Sequence, residues 1–229
     1  MKEKLLNKIK NKLIVSCQAL EDEPLHSSFI MSRMAIAAKE GGAVAIRANS
    51  VEDILAIKAV VDLPIIGIIK KDYPNSERFI TPTMKEIKEL VDINVEIVAM
   101  DATLRNQVDG VSLADKVKYL HQHNVLAMAD VSTLEEGLEA EKIGFDLISS
   151  TLSGYTSYSK KSNGPDFKLV EDLVKYTNTP IIAEGKIFGE ENLLKILRVK
   201  PFAVVIGSAI TRPQIITAKY NEIINKYDN

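Results

Sequence analysis

The sequence predicts a (β/α)8 barrel, and three observations lead to that fold class. Eight short apolar runs recur along the 229 residues, a helical pattern follows each run, and the runs begin roughly 21 to 34 residues apart. Alternating strands and helices build parallel sheets, and eight such units in about 250 residues form a closed barrel. An open doubly wound sheet competes, but it normally has a glycine-rich loop after its first strand, and "SCQALEDEP" has none. We therefore predict one barrel domain over residues 1–229.

Each predicted strand is a short apolar run bounded by turn or cap residues, without the long alternation of a half-exposed antiparallel strand. In chain order the strands are "KLIVSCQA" from residue 12, "GAVAIRA" from 42, "LPIIGIIK" from 63, "VEIVAMDA" from 95, "NVLAMADV" from 124, "FDLISSTL" from 145, "TPIIAEGK" from 179 and "FAVVIGSA" from 202.

Helical patterns fill the intervals, and several begin or end with capping residues. The predicted helices are "SFIMSRMAIAAKEGG" with a glycine cap, "SVEDILAIKAVV" capped by Ser50, "TPTMKEIKELVD", "SLADKVKYLHQH", "STLEEGLEAEKIG", "DFKLVEDLVKYT", "GEENLLKILRV" and "RPQIITAKYNEIINKY". Ser132 and Glu135 fit a capping box. A short amphipathic helix precedes the first strand, with Leu5, Leu6 and Ile9 on one side.

Composition excludes several function classes. Hydrophobic residues make up 46% and charged residues 26% of the chain, and the net charge is −2, so no nucleic-acid or membrane partner is indicated. The single cysteine, Cys17, favours a reducing compartment, and no apolar stretch approaches the roughly 18 residues of a membrane span. The three histidines are scattered, which predicts no metal site. We expect a soluble cytoplasmic protein.

Polar side chains recur where the strands end. Every second residue of a barrel strand faces the interior, so Ile66, Ile68 and Lys70 share the inward track while Lys71 points away. The aligned terminal positions of the eight inward tracks read Gln18, Arg47, Lys70, Asp101, Asp130, Thr151, Glu184 and Gly207. Charges are crowded into a barrel mouth only when they pair or meet a ligand. We therefore predict a functional site there, with Asp101 and Thr151 bracing Lys70 or Asp130 and with Cys17 outward as a packing residue.

The loops after strands 7 and 8 are typical of phosphate sites in such barrels. They read "EGK" and "GSAITRP", in which glycines let the backbone approach an anion closely. The candidates are Gly185, Lys186, Gly207 and Ser208 through the backbone, with Arg212 as a side-chain clamp.

Motifs at nearly every strand end resemble those of the N-acetylmannosamine-6-phosphate 2-epimerases. They are "IVSCQALEDEPLHSS", "AIRAN", "IIGIIKKDYP", "TPT", "DATLR", "MADVSTLEEG", "STLSGYTSYS", "IIAEGK" and "GSAITRPQIIT", in family order from about residue 13 to the C-terminus. The resemblance implies a barrel enzyme that interconverts N-acetylmannosamine 6-phosphate and N-acetylglucosamine 6-phosphate in bacterial sialic acid breakdown. It also implies a homodimer without a metal or nucleotide cofactor.

The resemblance assigns roles to residues that match the family motifs. Lys70 takes the place of the catalytic lysine and Glu184 that of its acidic partner. The sugar-binding positions fall on Gln18, Arg47, Asp130, Tyr155 and Arg212, and the phosphate-binding positions on the loops of Gly185 and of Gly207 and Ser208. Many relatives have a second glycine where this chain has Ser208, whose hydroxyl is a further candidate for a phosphate contact.

Two alternatives stay open from the sequence. One is another phosphate-binding barrel, such as a pentose-phosphate epimerase or an indole- or thiamine-pathway enzyme, because a fold alone does not decide function. The other is a non-catalytic sensor that binds a sugar phosphate. The pair of Lys70 and Glu184 disfavours the sensor, and the lack of a strand-end histidine disfavours the metal-dependent pentose-phosphate epimerases.

Overall fold

Eight parallel strands close into a barrel in chain order, as predicted. The computed structural model describes residues 2–227, so Met1, Asp228 and Asn229 of the predicted domain lie outside the described residues, and the domain bounds stay a prediction. The strands are β1 (Leu13–Cys17), β2 (Ala45–Asn49), β3 (Ile65–Ile68), β4 (Ile97–Asp101), β5 (Leu126–Asp130), β6 (Leu147–Ser149), β7 (Ile181–Glu184) and β8 (Ala203–Ile206). β8 pairs with β1 and closes the sheet.

The helices follow the strands at the predicted places. They are α1 (Lys2–Ile9), α2 (Ser28–Glu40), α3 (Val51–Lys58), α4 (Met84–Asp92), α5 (Leu113–Gln122), α6 (Leu134–Ile143), α7 (Phe167–Tyr176), α8 (Gly189–Arg198), α9 (Ser208–Thr211) and α10 (Pro213–Tyr227). Ser50 caps α3 as predicted, because its side chain accepts the Asp53 N–H. The predicted capping box of α6 was wrong by one residue: Thr133 is the N-cap and Glu136 its partner.

Two layers of apolar side chains follow the alternation along the strands. One layer fills the barrel and contains Ile14, Ala45, Ile66, Ile68, Ile97, Ala99, Met128, Ile182 and Val205. The other lies between sheet and helices, and Cys17 belongs to it, as predicted. Ile9 of α1 joins the interior layer, with Leu5 and Leu6 against it, so α1 covers the end where the strands begin. The opposite end stays open for a site.

No helix within residues 2–227 is long and apolar enough to cross a membrane.

Candidate active site

A cavity of about 430 Å³ opens at the carboxyl ends of the strands. This volume lies in the range of about 300–1,000 Å³ that is typical of small-molecule sites. Its lining includes ten of the eleven residues that the sequence predicted for the site, which are Gln18, Arg47, Lys70, Tyr155, Glu184, Gly185, Lys186, Gly207, Ser208 and Arg212. The eleventh, Asp130, is fully buried and is not part of the lining.

A three-membered ion cluster forms the floor of the cavity. The guanidinium of Arg47 donates to both carboxylate oxygens of Asp130, at 3.1 and 2.6 Å, and to Glu184 Oε2 at 2.6 Å. The Arg47 and Asp130 side chains are 1% and 0% exposed, and that of Glu184 is 13% exposed. Only Arg47 and Glu184 of this cluster therefore reach the cavity, while Asp130 lies behind the arginine.

Charge pairing inside the cluster opposes the cost of burial. Burial alone would lower the pKa of Arg47, but the carboxylates of Asp130 and Glu184 outweigh it and raise that pKa. For Glu184, burial and the negative Asp130 raise the pKa although Arg47 opposes the change. Thr151 donates to Glu184 Oε2 at 2.9 Å and accepts from Arg47 Nη1 at 3.1 Å, so it braces the cluster.

Lys70 lies in the cavity wall two residues beyond the end of β3. Burial lowers the pKa of its amine to about 8, and the positive charges of Arg212 and Arg47 act in the same direction. Glu184 and Glu23 oppose that decrease. A lysine with this pKa is partly neutral near physiological pH, as a base must be. Lys71, the next residue, is exposed, as the alternation predicted.

Asp101 does not brace Lys70 or Asp130, contrary to prediction. Its Oδ1 accepts the backbone N–H and the hydroxyl of Thr103, and its Oδ2 accepts from Arg105 Nη2 at 2.6 Å. Arg78 Nη1 lies 3.3 Å from Asp101 Oδ1. Asp101 therefore organises the loop after β4 rather than the cavity.

Gln18 presents an acceptor without a partner. Its Nε2 donates to Ser16 Oγ at 2.7 Å, while its buried Oε1 meets no hydrogen-bond donor among residues 2–227. A buried acceptor of this kind costs free energy until a donor arrives. A ligand hydroxyl or amide N–H in the cavity would satisfy it.

The two predicted phosphate loops border the cavity side by side, because β7 and β8 are paired. Gly185 and Lys186 have φ values of +114° and +56°, so the backbone turns through two successive left-handed residues after β7. A Cβ on Gly207 would lie 3.2 Å from the Cβ of Ser16, so the loop after β8 passes close to β1. Ser208 begins the short helix α9.

Arg212 is held by Glu23, which sequence analysis missed. Arg212 Nε lies 2.6 Å from Glu23 Oε1, and its Nη2 donates to Glu23 Oε2 at 2.7 Å. The Ser208 hydroxyl accepts from Arg212 Nη1 at 3.1 Å, so in this structure it contacts the arginine. Glu23 lies in a polar loop after β1, where an acidic residue carries no distinctive sequence signal.

The Tyr155 and Lys186 side chains form one edge of the cavity. Lys186 Nζ lies 5.1 Å from the centre of the Tyr155 ring and donates to the Ser162 carbonyl at 2.8 Å. The lysine thereby ties the loop after β7 to the long loop after β6. Phe79 and Ile80, from the loop after β3, add apolar lining to the cavity that the sequence did not predict.

The cysteine and the histidine nearest in sequence to the strand ends, Cys17 and His26, lie apart from the cavity. Cys17 is fully buried, and burial raises the pKa of its thiol to about 12, which leaves it unreactive. His26 contacts the Ala19 carbonyl at 3.2 Å and does not line the cavity. Among the described residues, no group of three or more His, Cys, Asp or Glu side chains could hold a metal ion.

Comparisons with known proteins point to one family. Residues 31–226 match the family model described as "Putative N-acetylmannosamine-6-phosphate epimerase". A Clostridium perfringens protein with the corresponding 2-epimerase name is 57% identical over 220 residues, which cover 96% of this chain and 100% of that protein. A similarly named protein from Caldanaerobacter subterraneus is 51% identical over 233 residues, covering 100% and 98% of the two chains.

Solved structures agree at the level of the fold. The structure of the N-acetylmannosamine-6-phosphate 2-epimerase from Clostridium perfringens matches with a TM-score of 0.94 and 57% identity, and the match covers 96% of each chain. Thiamine phosphate pyrophosphorylase from Pyrococcus furiosus matches with a TM-score of 0.60 at 17% identity, covering 90% and 89% of the two chains. The second likeness shows a shared barrel fold alone.

Proposed function

Because the chain belongs to the N-acetylmannosamine-6-phosphate epimerase family, we infer that it interconverts N-acetylmannosamine 6-phosphate and N-acetylglucosamine 6-phosphate. The two sugars differ only at the second carbon, which carries the N-acetyl group. Epimerisation there requires removal of the proton and its return on the other face. The enzyme is therefore an isomerase of amino-sugar breakdown.

We propose that Lys70 moves this proton. The second carbon is acidic only when the neighbouring first carbon is an open-chain aldehyde, and a base must then stand at the proton. An ordinary lysine, with a pKa of about 10.4, is a poor base near neutrality. The observation that carries the proposal is a lysine with a pKa lowered to about 8 in the same cavity as a buried carboxylate and two phosphate-type loops.

Glu184 is the proposed acid–base partner, acting on Lys70 or on the ring hydroxyl whose proton must move when the sugar opens. Its pKa is raised by burial, so it can hold a proton more readily than an exposed carboxylate. Arg47 donates to the same carboxylate and would also stabilise negative charge that develops on the substrate oxygen. Asp130 acts through Arg47, because the guanidinium occupies both of its oxygens.

The remaining lining residues are proposed to bind the substrate. Gln18 has a free acceptor for a sugar hydroxyl or amide, and Tyr155 offers its ring and hydroxyl at the cavity edge. Arg212 would contact anionic or oxygen-rich parts of the sugar phosphate. The phosphate itself would bind the loops of Gly185 and Lys186 and of Gly207 and Ser208.

Proton NMR in deuterated water tests this function directly. With N-acetylmannosamine 6-phosphate, we expect deuterium to replace the proton on the second carbon while N-acetylglucosamine 6-phosphate signals grow. Conversion without exchange would retain the epimerase activity but indicate a single shielded base that returns the same proton. Binding without exchange or conversion would contradict the proposal and favour the sensor.

We also propose that the enzyme is a homodimer. Helix α10 contains no buried residue, and three of its apolar side chains, Tyr220, Ile223 and Ile224, are 67%, 64% and 60% exposed. An exposed apolar helix face of this kind is typical of an interaction surface. Light scattering should give a particle of twice the 25.3 kDa chain mass, and a monomeric mass would contradict the dimer. A location in the cytoplasm stays a prediction that rests on the single cysteine.

A further inference from the structure

A short segment, residues 78–81, fills the gap between the ends of β3 and β4, and we call it the strap. Its backbone pairs on one side with the residues that follow β3: the Lys71 N–H donates to the Phe79 carbonyl at 2.9 Å, and Lys70 and Ile80 form an antiparallel bridge. On the other side, the Asp101 N–H donates to the Ile80 carbonyl at 3.0 Å. Lys70 thus lies beyond the barrel sheet but within a second, smaller ladder.

Thr81, at the end of the strap, has an unusual backbone conformation. Its φ is +45°, in the left-handed region that β-branched residues rarely enter, and it is 1% exposed. Such a conformation persists only where the surroundings enforce it, and it tends to occur at functional sites. The reason for it here lies in what the threonine contacts.

The Thr81 hydroxyl joins the two strands where their direct pairing ends. β3 and β4 pair only through Ile66 with Ile97 and Gly67 with Val98. Beyond that point, Thr81 Oγ1 donates to the Ala99 carbonyl at 2.7 Å and accepts the Ile69 N–H at 3.2 Å. The Thr81 N–H donates to the Ile69 carbonyl at 2.8 Å. One residue therefore satisfies both backbone groups of the residue that precedes Lys70.

The position of the Lys70 amine depends on this backbone support. Its Nζ makes neither a hydrogen bond nor an ion pair with any residue in the described range, so no side-chain partner holds it in place. The backbone is held firmly instead: the Lys70 N–H donates to the Asn49 side chain at 2.8 Å, and Thr81 holds Ile69. A base must stand within hydrogen-bond reach of the proton that it removes.

We propose that Thr81 is a positioning residue for the proton transfer, and that its hydroxyl holds the backbone at Ile69 so that the Lys70 amine stays directed into the cavity. The inference rests on the proposed function, because it assumes that Lys70 moves the proton. Thr81 itself does not line the cavity, so a substrate bound there would not contact it. In this respect it resembles Asp130 and Glu23, which also act through a residue that lines the cavity.

The test compares three variants by turnover, KM and the pH profile of kcat/KM. Thr81→Val keeps the shape and removes the hydroxyl, Thr81→Ser keeps the hydroxyl, and Thr83→Val is the matched control. Thr83 is two residues away and also buried, but its hydroxyl caps α4, so its loss should lower the melting temperature without changing the pH profile.

We expect Thr81→Val to lower kcat about 10- to 100-fold, since a misplacement near 1 Å can cost that much. KM should stay within about twofold of the wild-type value, because Thr81 does not line the cavity and the residues proposed to bind the substrate are unchanged. A loosened Lys70 is better hydrated, so its pKa should increase towards its ordinary value and the acidic limb of kcat/KM should move to higher pH. Thr81→Ser should behave like the wild type.

A Thr81→Val protein with wild-type kcat and an unmoved acidic limb would overturn the proposal, and so would a change confined to KM. If the valine variant does not fold, Thr81→Ala against Thr81→Ser makes the same comparison, because alanine also lacks the hydroxyl. A wild-type protein without epimerase activity would instead refute the proposed function. The two failures are therefore distinguishable.

Discussion

Replacing Lys70 by methionine should lower kcat roughly 10²- to 10⁴-fold, the range that a positioned acid–base group contributes. Methionine keeps most of the apolar stem and removes the amine, so the cavity wall should stay intact and substrate binding should persist. Turnover is measured by NMR with N-acetylmannosamine 6-phosphate, and exchange at the second carbon in deuterated water should fall in parallel.

The neighbouring lysine supplies a matched control for this experiment. Lys71→Met makes the same chemical change one residue along the chain, but Lys71 is exposed and outside the cavity. We expect its kcat to stay within about twofold of the wild-type value, since surface changes away from a site have little effect. Near-normal turnover in Lys70→Met would refute the assignment of Lys70 as the group that moves the proton.

The same assignment determines the direction of the pH dependence. Burial, with Arg212 and Arg47, lowers the pKa of Lys70 to about 8, and only the neutral amine accepts a proton. Because kcat/KM reports groups of the free enzyme, it should increase with pH up to about 8 and then level off. A profile that is flat through this region in the wild-type protein would contradict the lowered pKa.

Periodicity along the strands predicted which strand-end side chains face the barrel mouth, because it follows from covalent geometry. Successive strand side chains point to opposite faces, so once Ile66 and Ile68 are inside the barrel, Lys70 is directed into the mouth and Lys71 away from it. The same reasoning placed Cys17 outside the barrel, between sheet and helices. These predictions need no knowledge of which strands are neighbours.

Strand periodicity did not predict how deep each inward side chain lies in the barrel. Strands in a closed barrel are staggered, so equal distance from a strand end is not equal height. Asp101 and Asp130 are direct partners in the β4–β5 pairing, yet neither lines the cavity. Asp130 lies under Arg47, and Asp101 is engaged by the loop after β4. The sequence marks both as inward but does not indicate which basic residue will cover each.

The sequence likewise did not predict contacts between loops and residues that are far apart along the chain. The strap pairs with residues about ten positions earlier and with the end of β4. No local sequence pattern indicates this pairing. Glu23 contacts Arg212 across almost the whole chain. The α6 capping box failed for a local reason, since serine and threonine stand side by side before two glutamates and both registers satisfy the motif.

Replacing Arg47 by methionine should lower the free energy of unfolding by about 3–5 kcal/mol at pH 7. Two carboxylates with little or no exposure, Asp130 and Glu184, would lose the cation that each now contacts at 2.6 Å. Urea denaturation measures the change. Arg33→Met is the control, because Arg33 is exposed and its loss should cost no more than about 0.5 kcal/mol.

The destabilisation should depend on pH in a direction that identifies its cause. Burial already raises the folded-state pKa of Glu184 against the opposing charge of Arg47, so without Arg47 that pKa would increase further above its unfolded value of about 4. A group of this kind stabilises the folded protein below its unfolded pKa and loses that contribution as pH increases through the folded pKa. The difference between variant and wild type should therefore be smaller at pH 5 than at pH 8.

A second substitution separates lost charge pairing from lost packing. Adding Asp130→Asn to Arg47→Met removes one of the two buried carboxylates that lack a cation in the variant, and it should restore part of the stability at pH 8. If packing were the cause, the second change would add to the loss at both pH values. A loss below about 1 kcal/mol for Arg47→Met alone, the value of an exposed ion pair, would mean that water reaches the cluster. In that case Glu184 would not be held in the environment that raises its pKa, and its role as the acid–base partner of Lys70 would lose its physical basis.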